Sequence, residues 1–296
     1  MPRTPLAKTF VHVIEPCLFA GFQKPFERAR YAIFGVPFDS TVSYRPGQRF
    51  APNSIRSSSA QLETISLRFG IDLEDVAFTD IGDVGVSLSL EETLQRVGDT
   101  VKELVSFNKV PVCMGGEHTV TAGILRGTGR TSLLVFDAHL DLRSSYMGLT
   151  LCHASWLRYA IEAGLVEDVL VVGARGFCRE EMEYASKRVR YLTPIDLRKG
   201  DGEESLASFL NGVEKLYVSV DIDAFDPAYA PGVGNPEPDG LSTFEVFSIL
   251  ESIRSRNIVG FDVVEVSPPY DSGITSSLAA KMLFELISLS EKNSRA

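Results

Sequence analysis

Short apolar runs at residues 31–36, 76–81, 110–114, 133–136, 169–172, 216–220 and 258–266 recur along the chain, with helix-length stretches between them. This alternation constrains the fold more than any other feature of the sequence. Runs this short suit strands buried on both faces, and a strand–helix–strand succession builds a mostly parallel sheet covered by helices on either side. The helical half is clearest in SLEETLQRVGDTVKELVSF, residues 89–107. There Ser89 and Glu92 have capping-box spacing, and Leu90, Leu94, Val97, Val101 and Leu104 form one apolar stripe. Further helices are expected over residues 154–163, 243–255 and 276–290.

No repeat, low-complexity tract or Gly/Ser linker marks a boundary, so residues 1–296 are expected to form one α/β domain. The long irregular stretch is IDAFDPAYAPGVGNPEPDGLS, residues 222–242, where four prolines exclude regular structure. Ordered loops of this length inside a domain tend to serve function.

Charge and composition narrow the class. A formal net charge of −10 argues against nucleic acid as a partner, because phosphate binding needs a basic face. No apolar run reaches the roughly 18 residues a membrane span needs. The first 22 residues lack a signal-peptide core because Glu15 and Pro16 interrupt them, so the expected location is the cytoplasm. Cys17, Cys113, Cys152 and Cys178 show no CxxC or framework spacing and are expected to be reduced; Cys152, beside His153, is read as a passive small side chain.

The chemistry lies at the ends of the apolar runs. FDAHLDLR, residues 136–143, spaces Asp137, His139 and Asp141 two apart, so that in an extended segment all three point to one side. A lone DxHxD is more often a polar loop at a sheet edge, and the rest of the chain has to decide. Run 110–114 is followed by GGEHT with His118, run 216–220 by Asp221 and Asp223, and the last run contains Glu265. Ligands of open parallel sheets bind beyond the carboxyl ends of the strands, where these groups would gather. Four carboxylates in one pocket would force one another to protonate unless cations stood between them. Two imidazoles and four carboxylates, with no thiolate, suit a hard or borderline metal such as Mn2+. A pair of such ions can acidify a shared water, which predicts metal-assisted hydrolysis. Three of the four histidines fall in or near this set, and only His12 stands apart.

Taken together, GGEHT, FDAHLDLR with a downstream CHASW, SVDIDAFDP, APGVGNPEPDGLS, VVEVSP and GVPFDSTVSYRPGQRFAP resemble the signature stretches of the ureohydrolases, the arginase and agmatinase family. They are most similar to agmatinases of the archaeal and thermophile type, over roughly residues 30–290. The resemblance implies a three-layer α/β/α sandwich around a mostly parallel, about eight-stranded sheet. It also implies a binuclear manganese centre, with Co2+ or Ni2+ as alternatives, that splits a guanidino group into an amine and urea. By motif, one ion is held by His118, Asp137, Asp141 and Asp221 and the other by His139, Asp137, Asp221 and Asp223. The resemblance also implies that Asp141 relays a proton to the departing amine, that His153 shuttles protons, and that Glu265 binds the guanidinium. Glu117 is expected to support a ligand or the backbone, and Asp226 to act as a turn residue.

Family analogy further implies a role in polyamine biosynthesis and a homo-oligomer, trimer or hexamer. The implied substrate is a small guanidino compound: agmatine, aminopropylagmatine or guanidinobutyrate, ahead of arginine. Two departures bear on that choice. Ser144 and Ser145 replace an acidic pair in the loop expected to face the far end of the substrate, and Asn235 stands where many relatives carry threonine. The competing readings are a single-zinc amide hydrolase resembling the deacetylases and a metal-stabilised binding protein without catalysis.

Overall fold

The computed structural model describes residues 17–254 and 256–295; His12 lies outside them. Among these residues the strands are β1 (Tyr31–Gly35), β2 (Ile65–Ser66), β3 (Ile71–Asp72), β4 (Phe78–Asp83), β5 (Val110–Met114), β6 (Thr131–Phe136), β7 (Val166–Val172), β8 (Arg190–Leu192), β9 (Leu216–Asp221) and β10 (Ile258–Val264). The helices are α1 (Ala51–Ser59), α2 (Leu90–Ser106), α3 (Thr119–Thr128), α4 (Trp156–Glu162), α5 (Arg179–Arg188), α6 (Pro194–Lys199), α7 (Gly202–Leu210), α8 (Thr243–Ser252) and α9 (Ile274–Arg295). Eight strands form one sheet in the order β4-β1-β5-β10-β9-β6-β7-β8. Every pairing in it is parallel. The small β2–β3 pair is antiparallel and separate.

Alternation along each strand divides the core into two layers. Leu134 and Phe136 of β6 pack on one face with residues of α1, α7, α8 and α9, while Leu133 and Val135 pack on the other with residues of α2, α3, α4 and α5. Both faces are therefore dry, which explains why the strands read as unbroken apolar runs rather than as alternating patterns. The result is the expected three-layer α/β/α arrangement.

Local signals account for most boundaries, with some corrections. Ser89 caps α2 by accepting from the Glu92 N–H at 3.3 Å, but the reciprocal half of the expected box is missing. The Glu92 carboxylate bonds instead to the Ser87 hydroxyl (2.6 Å) and Arg96 (2.6 Å). A complete box opens α8, where Ser242 and Glu245 cap each other. The last strand stops at Val264, short of the expected residue 266, because Glu265 takes a left-handed backbone (φ +63°). The expected helix 243–255 ends at Ser252, and its last residue lies outside the described residues. The expected helix 276–290 is longer at both ends, spanning Ile274–Arg295.

The stretch 222–242 is irregular beyond a 3-10 turn at Ile222–Ala224. Arg175 orders it: its guanidinium donates to the carbonyls of Asp223, Ala224, Phe225, Glu237 and Pro238 at 2.6–3.3 Å. Asp226 closes a turn there by accepting from the N–H groups of Ala228 and Gly240, each at 2.9 Å.

Candidate metal centre

The site lies at the carboxyl ends of β5, β6, β9 and β10. After β5 the chain turns through Gly115 and Gly116 so that His118 stands at the start of α3. Gly116 has no alternative, since a Cβ there would sit 1.9 Å from the Phe38 carbonyl oxygen. Asp137 follows β6 directly, Asp221 ends β9, and the 3-10 turn after it carries Asp223. Asp141 takes a left-handed conformation (φ +51°), as Glu265 does. Such backbone costs on the order of 1–3 kcal/mol for a non-glycine residue and concentrates at functional sites.

The structure brings His118, Asp137, His139, Asp141, Asp221 and Asp223 into one volume. His118 Nδ1 lies 3.1 Å from Asp137 Oδ2, 3.2 Å from Asp221 Oδ2 and 3.6 Å from Asp141 Oδ2. His139 Nδ1 lies 3.1 Å from Asp223 Oδ2 and 3.5 Å from Asp137 Oδ1. Asp137 thus offers one oxygen to each imidazole. The donor atoms form two adjoining groups of metal-ligand type, His118–Asp137–Asp141 and Asp137–His139–Asp223, which share Asp137. All four carboxylates and His118 are buried, and His139 is partly open.

The electrostatics of the pocket follow from its burial and its charges. Burial, together with the charge of Asp137, pushes Asp141 well above the ordinary carboxylate range, and burial with Asp223 and Asp137 does the same to Asp221. Burial opposes ionisation of Asp137 too, but the two imidazoles outweigh it and hold that carboxyl below the usual range. Burial would lower His118, yet Asp137 and Asp141 push it up to about 9, and His139 is raised in the same way by Asp223 and Asp137. Four buried carboxylates therefore require positive charge between them. His118 Nδ1 is completely buried and has no partner in hydrogen-bond geometry among the described residues, although three aspartate oxygens surround it. A ring nitrogen left unpaired among carboxylates, with a second such cluster beside it, fits a pair of divalent cations.

Behind the six side chains stands a layer that sequence reasoning missed. His118 Nε2 is 2.9 Å from the Ser219 hydroxyl, which donates to Asp262 at 2.7 Å. Tyr217 and Thr121 donate to the other Asp262 oxygen. An acid in the middle of an apolar strand was the available signal. Trp156, the only tryptophan in the chain, lies against the His118 ring (centroids 4.3 Å apart) and donates its indole N–H to Asp141 at 2.8 Å. Its fluorescence is thus a probe of the centre. Glu117 has the expected supporting role, accepting from the Thr41 N–H (2.7 Å) and from the hydroxyls of Thr41 (2.5 Å) and Thr119 (2.6 Å).

The centre opens into a cavity of about 450 Å3 lined by Asp141, His153 and Glu265 among others. His153 Nε2 is 3.1 Å from the Ser43 hydroxyl, its backbone N–H donates to the Thr41 hydroxyl, and its Nδ1 has no partner among the described residues. Ser144 and Ser145 are exposed, so the loop reaches the cavity through Arg143 and Tyr146 instead; Asn235 and Glu237 line it too. Cys152 is buried beside Ser155, and burial raises its thiol.

Burial, with the charges of His139 and His118, pulls His153 down to about 4. Because that lies below the ordinary value near 6.5, its protonation opposes folding. The neutral ring's contribution is complete above about pH 6.5 and is lost as pH falls toward 4. In metal-free protein, His153→Gln should therefore flatten the pH dependence of unfolding free energy between 6.5 and 4 by on the order of 3 kcal/mol. Urea titrations at several pH values measure this, and an unchanged slope would refute it.

Comparison with known proteins agrees with this architecture. The arginase family model matches residues 29–288. The chain is 39% identical over 268 residues to an agmatinase of Pyrococcus horikoshii, covering 89% of this chain and 93% of that one. It is 37% identical over 277 residues to the N(1)-aminopropylagmatine ureohydrolase of Thermococcus kodakarensis, covering 91% and 93%. The crystal structure of agmatine ureohydrolase of Thermoplasma volcanium superposes with a TM-score of 0.90 at 37% identity, covering 98% of this chain and 99% of the other. The chain belongs to the arginase family.

Proposed function

We propose that this chain is an agmatinase-like ureohydrolase that cleaves the guanidino group of a small substrate, agmatine or a close analogue such as aminopropylagmatine, to an amine and urea. The observation that carries the reading is Asp137, with one oxygen toward each of two imidazoles in a pocket of four buried carboxylates. His118, Asp137, Asp141 and Asp221 would hold one divalent cation and His139, Asp137, Asp221 and Asp223 the other; the O and N donors suit Mn2+ and equally admit Co2+ or Ni2+. Bound there, two cations neutralise the carboxylates and acidify a water.

The chain's own residues supply the rest. A guanidinium is planar, delocalised and slow to react with water, so it must be oriented and its leaving amine protonated. Glu265 lines the cavity, and its carboxylate matches the fork of N–H groups on the plate. As water adds to the guanidino carbon and the bond to the chain nitrogen breaks, the water gives up both its protons: one is released to solvent, and the other passes to the departing nitrogen, leaving amine and urea. Asp141, buried at the cavity floor, carries that proton. His153, neutral and beside Ser43, exchanges protons with solvent.

Urea release from a panel of guanidino compounds by metal-loaded protein tests the reading. Turnover of agmatine or an analogue with close to two ions per chain supports it, and no urea from any compound at full loading refutes it. A single-zinc amide hydrolase is less well supported, because it explains one DxH and would leave the buried carboxylates of Asp141 and Asp223 without a role; one zinc per chain would favour it. Glu265→Gln should lower kcat/KM by about 10–100-fold, the worth of a hydrogen bond to a charged group, while two ions stay bound. Metal loss in that variant would contradict the assignment. A cytoplasmic homo-oligomer, trimer or hexamer, completes the proposal. Among the described residues no helix is long and apolar enough to cross a membrane.

A further inference from the structure

The segment GVPFDSTVSYRPGQRFAP, residues 35–52, has no role in the reading above beyond Thr41 and Ser43. We propose that Gln48, within it, is the positioning residue of Glu265: its side-chain amide fixes the plane in which that carboxylate receives the guanidinium. The proposal rests on the role given to Glu265 and goes one residue further back.

Gln48 is fully buried, and its Nε2 donates to Glu265 Oε2 at 2.9 Å and to the Arg45 carbonyl at 3.2 Å. The His118 N–H donates to the other oxygen, Oε1, at 2.7 Å. Each carboxylate oxygen thus has one fixed donor. One acceptor direction remains on each, the two positions that a planar N–H fork fills. Glu265 needs such fixing because its left-handed backbone separates it from the regular strand that precedes it.

The loop that presents Gln48 is itself clamped. Buried Asp39 accepts from the N–H groups of Gly47 (3.0 Å) and Arg49 (3.3 Å) and pairs with the Arg49 guanidinium. Gly47 (φ +141°) lies so close to Ser267 and Pro269 that a Cβ there would come within 2.7 Å of the Ser267 hydroxyl. On the other side, a Cβ on Gly234 would lie 2.4 Å from Gln48 Nε2. The amide is therefore confined between the clamped loop, the residues following β10 and the 222–242 loop.

Folding alone does not call for a glutamine here. Its Oε1 is buried and has no hydrogen-bond partner among the described residues, which costs stability. An unbranched apolar side chain of similar length would fill the space without that unsatisfied acceptor. The residue is accounted for by what its Nε2 does to Glu265.

The test compares wild type with Gln48→Met, which removes the donor but keeps the length. Gln48→Asn serves as a second variant; it keeps the amide but shortens its reach by about 1.5 Å. With metal-loaded protein and the substrate that wild type turns over, both variants should raise KM about tenfold, the worth of one hydrogen bond, with a smaller change in kcat. The inhibition constant of guanidinium chloride should rise in parallel. Mn2+ affinity, read from Trp156 fluorescence, should be unchanged. KM and inhibition constants within about twofold of wild type in both variants would overturn the proposal. So would a KM rise accompanied by lost metal affinity, which marks a merely structural residue. Absence of urea from wild type itself would overturn the role of Glu265, and this proposal with it. Urea from wild type with unaffected variants overturns this proposal alone.

Discussion

Asp141→Asn should reduce kcat by about 10²–10⁴-fold, the range of a lost acid–base group, while leaving the fold intact. The substitution is unusually clean here. Asparagine tolerates the left-handed backbone that Asp141 adopts (φ +51°), and its carbonyl oxygen can still accept from the Trp156 indole. The main-chain anchor, in which the Arg158 N–H donates to the Asp141 carbonyl at 3.3 Å, does not involve the side chain. What disappears is a carboxylate that can carry a proton and that stands 3.6 Å from His118 Nδ1. Because the variant also weakens one donor to a cation, the rate must be measured at saturating Mn2+ with metal content determined. Turnover above about a tenth of the wild-type rate at full loading would remove Asp141 from proton delivery.

Stripping the metal should have the largest effect of all. Chelation is expected to abolish urea release, and restoring Mn2+ to recover it. Ions bound only by the folded state stabilise it by about 4 kcal/mol at a thousand times the dissociation constant, so Tm should fall on chelation and depend on Mn2+ concentration. The pH dependence follows from the pocket's charge. Without cations His118 titrates up to about 9, while Asp141 and Asp221 are raised well above the carboxylate range. Ligands must shed these protons to bind an ion, so affinity should fall as pH falls. A loss of at least about tenfold per pH unit between 8 and 6 is expected from one displaced proton. Calorimetric titration with Mn2+ in buffers of different ionisation enthalpy counts the protons released. Equal affinity at both ends of that range, with no proton release, would contradict the site.

Much of this was legible in the chain because it is encoded locally. The principal strands read as apolar runs since both faces of the sheet are dry, and Asp137, His139 and Asp141 announce themselves by spacing within one short segment. β8, Arg190–Leu192, escaped notice because three residues of mixed character at a sheet edge carry no apolar run, and the β2–β3 pair is shorter still. The supporting layer was hidden for another reason. Gln48 meets Glu265 across 217 positions and Ser219 meets His118 across 101, so nothing in either neighbourhood announces the partner. The half-formed cap at Ser89 shows the converse, a correct local pattern in which Ser87 and Arg96 outcompeted the backbone for Glu92.

The all-parallel sheet separates durability from chemistry. Every group assigned to the reaction clusters at the rim where the strands end, whereas the rim where Val110, Thr131, Leu216 and Ile258 enter the sheet carries none of them. An engineer seeking heat tolerance can rework that far rim, with shorter connections, prolines or better helix caps, and leave turnover untouched.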